Sequence, residues 1–222
     1  MEPIKISCII PVYNEGPRVL NVIKAVLASK VADEIIVVDD GSSDNTAELV
    51  SNSVKDIAEV NFITYHPNGG KSHAVKVGFE AAKNDYVMMI DSDLLGLDTV
   101  GLNALAQPVR DGIADVSISL RKNSLGIYKA LGLDFISGER VFKKDLIPDL
   151  SVLDTLTGFG LESYMNQVII QKKLRIKVVY WPNVESPRKS VKMGWLEWLL
   201  RGWSVRWSRG STARRASWAS TS

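Results

Sequence analysis

The chain opens on a run of apolar positions, Ile4 to Ile10, that stops at Pro11. A short continuous apolar run bounded by a breaker is the pattern of a strand buried on both faces. Glu34 to Val38, Val60 to Tyr65 and Tyr86 to Ile90 repeat it. Between these runs the period changes. Val19, Leu20, Ile23, Val26 and Leu27 fall at helical spacing within Gly16 to Ser29, and Pro17 suits a first turn. Asn45 to Val54 and Ser72 to Lys83 also predict helices, the second with Ala74, Val77, Phe79, Ala81 and Ala82 largely on one side. Strand and helix in alternation predict right-handed βαβ units and a mostly parallel central sheet flanked by helices.

The pattern loosens beyond residue 95. Asp98 to Arg110 predicts a helix and Ala114 to Leu120 a strand ending at Arg121. Asn123 to Leu133 is either helical or irregular. Phe135 to Phe142 holds a Ser137-Gly138-Glu139-Arg140 turn, and a short helix begins at Asp145. Gly160 to Leu174 predicts a helix and Arg175 to Trp181 a strand stopped by Pro182.

Each strand of the first half ends in a polar loop, so those loops converge on the carboxyl edge of the sheet, where open α/β sheets bind ligands. Pro11-Val12-Tyr13-Asn14-Glu15 follows the first strand, Asp39-Asp40-Gly41-Ser42 the second, Asn68-Gly69-Gly70-Lys71 the third and Asp91-Ser92-Asp93 the fourth. Two carboxylates one residue apart, together with substrate phosphates, are a usual way to hold Mg²⁺ or Mn²⁺. Asp39 and Asp40 suit a strand-end turn equally well. Gly69 and Gly70 allow close backbone approach, and Lys71 lies near a helix N-terminus, a place suited to diphosphate charge. The spacing is neither that of a P-loop nor Gly-x-Gly-x-x-Gly.

The four motifs in this order resemble the family 2 inverting glycosyltransferases of the GT-A fold, a three-layer, Rossmann-like α/β architecture. The resemblance runs over roughly residues 4 to 190 at the level of element order. It implies a UDP- or GDP-sugar donor and a divalent metal, Mg²⁺ or Mn²⁺, held by Asp91 and Asp93. Asp40 would then accept from the base edge. Pro11, Tyr13 and Glu15 would line the base and ribose pocket, and Asn68, Lys71 and Asp91 would complete the nucleotide-sugar site.

Asp115 to Arg121 and the Ser137-Gly138-Glu139-Arg140 segment resemble the polyprenyl-phosphate group of the same family, which includes the dolichol-phosphate mannose synthases. If the acceptor is a lipid phosphate, Arg121 and Arg140 would clamp it. Gly158-Phe159-Gly160-Leu161-Glu162 resembles the segment before the family's late helix, which places Glu162 beside the acceptor. A sugar-hydroxyl acceptor needs a general base there, whereas a phosphate does not. Relatives with hydroxyl acceptors often carry Glu-Asp at this point. The present Glu162-Ser163 tilts the expectation slightly toward a phosphate, with a glycan hydroxyl as the alternative. Asp134 and Asp154 are further candidates for the base. By the same resemblance Asp93 is the more direct metal ligand.

Composition narrows the partners. A net charge of +2 does not point to nucleic acid. The one cysteine, Cys8, falls in the first apolar run and is expected to be a buried thiol. The two histidines, His66 and His73, lack metal-ligand spacing. There is no secretory signal pattern and no apolar stretch of about 18 residues, so a cytoplasmic location is expected, with the inner face of the membrane as a possible station. Residues 1–190 are read as the catalytic domain, 1–95 as the nucleotide-sugar half and 96–190 as the acceptor half. In residues 191–209, Trp195, Trp198, Trp203 and Trp207 interleave with Lys192, Arg201, Arg206 and Arg209. That pattern suits either a membrane-surface helix or a helix covering the sheet. Residues 210–222 are expected to be a disordered tail. A nucleotidyltransferase and a non-catalytic nucleotide-sugar-binding module are the competing functions.

Overall fold

The computed structural model describes residues 4–132 and 134–187. The segments 191–209 and 210–222 lie outside the described residues.

The apolar runs form the centre of a seven-stranded sheet of order β3-β2-β1-β4-β6-β5-β7. β1 (Ile6–Val12) is buried at every position, because its neighbours β2 (Glu34–Asp39) and β4 (Tyr86–Met89) flank it and helices cover both faces. β3 (Val60–Thr64) extends the sheet in parallel beyond β2. α1 (Gly16–Ser29), α2 (Thr46–Val54) and α4 (Thr99–Arg110) cover one face, where Val19, Val22, Val50, Leu102 and Leu105 meet Ile6, Cys8 and Ile10. α3 (Lys71–Ala81) and α6 (Gly160–Gln171) cover the other, where Ala74, Phe79, Leu161 and Met165 meet Ile9, Ile36 and Val38. Each fully buried branched side chain of this kind contributes roughly 1.5–3 kcal/mol. Cys8 is a free thiol inside the first of these cores, and burial pushes its pKa far up.

Helix α3 lies unusually close to β1. A methyl on Gly78 would fall 2.5 Å from Cγ2 of Ile9, so glycine alone lets the helix backbone sit at this depth. That contact fixes the height at which the first residue of the helix, Lys71, meets the sheet edge.

The second half departs from the expected pattern. The stretch anticipated as a turn between Phe135 and Phe142 contains a strand, β6 (Arg140–Lys143). It runs antiparallel to both β4 and β5 (Val116–Arg121) and lies between them. Four residues beginning with arginine give no readable alternation, so neighbouring strands dictate this one. β7 (Ile176–Trp181) pairs in parallel with β5 at the far edge. The ambiguous stretch before residue 133 contains the short helix α5 (Gly126–Leu131). Two 3₁₀ turns, Lys144–Leu146 and Leu150–Thr155, replace the single short helix expected from Asp145. The sheet is therefore mostly parallel, as expected, with one antiparallel insertion that joins the two halves.

Candidate active site

The loops after β1 and β2 are tied together by side chains. Asn14 adopts a left-handed φ of 54° and its Oδ1 accepts from the Ser43 backbone N–H at 2.8 Å. Ser42 Oγ accepts from the Asn14 N–H at 2.9 Å. Asp39 is fully buried and serves the turn, accepting from the hydroxyls of Ser42 and Thr64. Asp40 is different in position and in partners. Its Oδ1 accepts from the Tyr65 hydroxyl and the Gly69 N–H, both at 2.7 Å, and its Oδ2 accepts from the Asn68 amide at 2.9 Å. The expected base reader is thus held rigidly from the β3–α3 loop. Asn68 also donates to the Asp40 carbonyl, so its amide is committed to Asp40. Tyr13 is 45% exposed and presents an open aromatic face, whereas Glu15 is buried and paired with Arg18 at 2.6 Å. Pro11 is buried next to the last residue of β1.

Lys71 is the first residue of α3, where Gly70 enters the helix at φ 87°. Its ammonium lies 2.8 Å from Oδ1 of Asp91 and 2.9 Å from Oε1 of Glu162. Burial works against that charge, but Asp91 and Glu162 outweigh it and hold the ammonium well above the ordinary lysine range. Glu162 lies in the first turn of α6 and is 2% exposed. Its second oxygen, Oε2, is buried with no hydrogen-bond partner among the described residues. A buried carboxylate oxygen left unsatisfied is costly, so this one calls for a donor such as a water, an ion or a ligand.

Gly138 closes the same cluster from the β5–β6 side. A methyl there would fall 2.6 and 2.8 Å from the two Asp91 oxygens and 2.9 Å from Lys71 Nζ. Beneath it, Glu139 is fully buried and accepts from Ser119, Ser137 and Arg121. Burial pushes the Glu139 carboxyl above its usual range despite the Arg121 charge. Arg121 stands 3.0 Å from Glu139, 3.7 Å from Asp134 and 4.0 Å from Asp91, and its Nε is buried with no hydrogen-bond partner among the described residues. Burial opposes the Arg121 charge, and Glu139, Asp91, Asp134 and Asp93 outweigh it.

Arg140 does not stand where a phosphate clamp would need it. It is fully buried, and burial lowers its pKa to about 10. Its guanidinium donates to the Ser137 and Phe135 carbonyls and to Oδ1 of Asn166 on α6. The expected clamp is therefore corrected to an anchor for the 135–138 loop, because its donors are directed into protein. Asn166 adds its own amide to the Phe135 carbonyl at 2.8 Å.

Asp93 is buried and accepts from the Ser186 hydroxyl at 3.2 Å. Ser186 arrives through a backbone bridge between Leu95 and Glu185 that folds the chain after β7 over the chain after β4. Gly96 makes that crossing possible, since a methyl there would strike the Asn183 carbonyl. Ser186 and Asn166 carry no sequence motif, whereas Gly138 and Glu139 fall in the Ser137–Arg140 segment. Asp134 and Asp154, the further base candidates, are otherwise engaged. Asp134 accepts from Ser124 and the Ile136 N–H, and Asp154 pairs with His73 and Lys76.

Among the described residues, no group of three or more His, Cys, Asp or Glu side chains stands ready to hold a metal unaided. Two carboxylates completed by phosphate oxygens remain a sufficient set for Mg²⁺. Among the described residues, Asp91, Asp93, Asp134, Glu139 and Glu162 gather there with Lys71, Arg121 and Arg140.

A mostly parallel sheet whose carboxyl edge gathers these groups defines a GT-A glycosyltransferase fold. Glucosyl-3-phosphoglycerate synthase from Mycobacterium tuberculosis, solved with Mn²⁺, UDP-glucose and phosphoglyceric acid, superposes with a TM-score of 0.69 at 22% identity. The match covers 85% of this chain and 73% of that one. Staphylococcus aureus TarS 1–349 superposes at 0.60 with 20% identity, over 79% of this chain and 58% of its own. The Glycosyl transferase family 2 model matches residues 7–137, and the chain belongs to that family.

Among curated relatives, poly-beta-1,6-N-acetyl-D-glucosamine synthase of S. aureus (strain COL) is 38% identical over 91 residues, 40% of this chain and 22% of the relative. Glycosyltransferase GlyG of Streptococcus pneumoniae serotype 4 is 32% identical over 114 residues, 51% of this chain and 38% of the relative. The matched region thus spans between about a fifth and two fifths of these relatives. Among the described residues, no helix is long and apolar enough to cross a membrane.

Proposed function

We propose that the protein transfers a sugar, with inversion, from a UDP- or GDP-sugar to an acceptor oxygen. Asp91 and Asp93 would hold Mg²⁺ or Mn²⁺ against the donor diphosphate. The chemistry supplied by the bound cation is neutralisation of charge on the departing nucleoside diphosphate. Asp40, fixed by Tyr65, Asn68 and Gly69, accepts from the base edge, and Tyr13 offers its open face for stacking. Lys71 adds positive charge beside the diphosphate.

The observation that carries this reading is the meeting of Lys71, Asp91, Gly138 and Glu162, brought from four separate segments to one point at the sheet edge. The orphaned Oε2 of Glu162 favours a hydroxyl acceptor over a polyprenyl phosphate. A hydroxyl donates to that oxygen and gives up its proton there as the acceptor oxygen bonds to the anomeric carbon and the bond to diphosphate breaks. A phosphate has an oxygen already ionised and would meet Glu162 as a like charge. Ser163, where relatives with hydroxyl acceptors often have Asp, leaves Glu162 as the carboxylate at this point.

The test is product analysis with a panel of UDP- and GDP-sugars, Mg²⁺ or Mn²⁺, and both oligosaccharide and lipid-phosphate acceptors. Metal-dependent transfer to a hydroxyl with inverted anomeric configuration is expected, and Glu162→Gln is expected to abolish it while nucleotide still binds. Transfer to lipid phosphate that survives Glu162→Gln would overturn the acceptor assignment. Residues 191–209, with their interleaved tryptophans and basic side chains, are proposed as a contact with anionic membrane surface. Unchanged vesicle partitioning after their removal would dispose of that contact.

A further inference from the structure

We infer that Lys71 is an internal counter-ion for Asp91, one that yields its place to the metal only when a nucleoside diphosphate arrives to receive the ammonium. The inference rests on the metal-dependent reading above and adds a binding order to it.

The ammonium bridges two carboxylates from different elements, Asp91 at 2.8 Å and Glu162 at 2.9 Å. One of the two is an expected metal ligand. A divalent cation binds carboxylate oxygens at roughly 2.0–2.6 Å, so one sharing Oδ1 of Asp91 with the lysine would stand within about 5.4 Å of Nζ. The single Asp91 charge offsets only part of the positive charge then gathered on that oxygen, and the two cations repel. Asp91 has little freedom to turn away and serve both. Gly138 packs against the carboxylate and the ammonium together, closely enough that a methyl would fall 2.6 and 2.8 Å from the Asp91 oxygens and 2.9 Å from Nζ. The lysine is the partner with room to swing, because its flexible four-carbon stem leaves the side chain 35% exposed even though the ammonium is enclosed. Its position at the first turn of α3 leaves it beside the helix N-terminus, where phosphate charge is favoured. A diphosphate therefore offers the ammonium a second home at the moment the metal claims the first.

This arrangement makes free metal a poor ligand for the empty enzyme and makes metal and nucleotide support each other, as linkage requires. It also predicts opposite signs for the same substitution. Without nucleotide, Lys71 competes with the metal. With nucleotide, Lys71 helps hold the metal–diphosphate complex.

The experiment is Mn²⁺ binding to the full chain, by calorimetry and by loss of the free Mn²⁺ paramagnetic resonance signal, with and without UDP or GDP. Wild type is compared with Lys71→Met and with Lys71→Gln, which keeps a polar tip should the first variant unfold. Thermal melts verify folding. The expected result is Mn²⁺ affinity raised about fivefold or more in the nucleotide-free variants, and lowered by a similar factor when nucleotide is present. Unchanged or weaker nucleotide-free affinity, in variants that fold while wild type binds Mn²⁺ with nucleotide, overturns the counter-ion role alone. Absence of Mn²⁺ binding to wild type even with nucleotide overturns both this role and the metal-dependent reading.

Discussion

Gly138 rests directly on the Asp91 carboxylate, with no room for a methyl between them. The loop that carries it belongs to the second half of the chain, whereas Asp91 ends the fourth strand of the first. Adding that methyl should push Asp91 off Lys71 or lift the 135–138 loop. Gly138→Ala is expected to lower kcat/KM by about tenfold to a hundredfold, since a misplacement of about 1 Å has effects of that order. Circular dichroism should remain native. Wild-type kinetics in this variant would show that the contact is slack.

Asp93→Ala removes one of the two carboxylates assigned to the cation. Transfer should fall by at least about a hundredfold. The fold should survive, because both apolar cores are built without the Asp93 side chain. Full activity in a steady-state assay would remove Asp93 from the metal site.

Tyr65 positions Asp40 through a hydrogen bond of 2.7 Å. In Tyr65→Phe the Asn68 and Gly69 donors remain, so Asp40 should stay in place but turn more freely. Nucleotide affinity measured by calorimetry is expected to weaken by about threefold to tenfold, the size of one ordinary hydrogen bond, since the lost bond acts on the nucleotide only through Asp40. A greater loss of stability than of affinity would assign Tyr65 to the fold instead.

The depth of α3 depends on Gly78. Gly78→Ala places a methyl 2.5 Å from Ile9 Cγ2 in the centre of the sheet. Overpacking of this sort costs about 1–3 kcal/mol, which outweighs the gain in helix propensity. The urea midpoint should drop accordingly. A midpoint at or above wild type would mean that the helix shifts without strain.

Asp154 lies outside the site and pairs with Lys76 and His73. Hydrogen bonds from these two partners hold its carboxyl below the ordinary value of 3.8. Its contribution to stability is therefore present above about pH 4 and is lost as pH falls through the depressed value. Because the pair is exposed, the effect is small. Urea midpoints taken from pH 6 down to pH 2.5 should fall less steeply for Asp154→Asn than for wild type. Parallel curves would contradict the assignment.

The sequence makes the first half of the fold readable because each buried strand there is a continuous apolar run and each helix keeps its period. Ile6–Val12 and Tyr86–Met89 need no tertiary context to be recognised. The order of polar strand ends locates Asp40, Lys71, Asp91 and Asp93 for the same reason. The acceptor half resists such reading. β6 begins with a buried arginine, and only its neighbours make it a strand. Arg140 looks like a surface group or a ligand clamp by type, but its partners are carbonyls and an amide reached through folding. Ser186 meets Asp93 across 93 positions, a distance no local pattern reports.

The antiparallel β6 is hydrogen-bonded on one side to β4, which leads into Asp91, and on the other to β5, which ends at Arg121. Among the described residues, Asp91 and Arg121 are consequently mounted on one continuous plate. A strain placed on either outer strand is passed through β6 to the other, so the spacing of the two side chains is set by the sheet and not by a hinge.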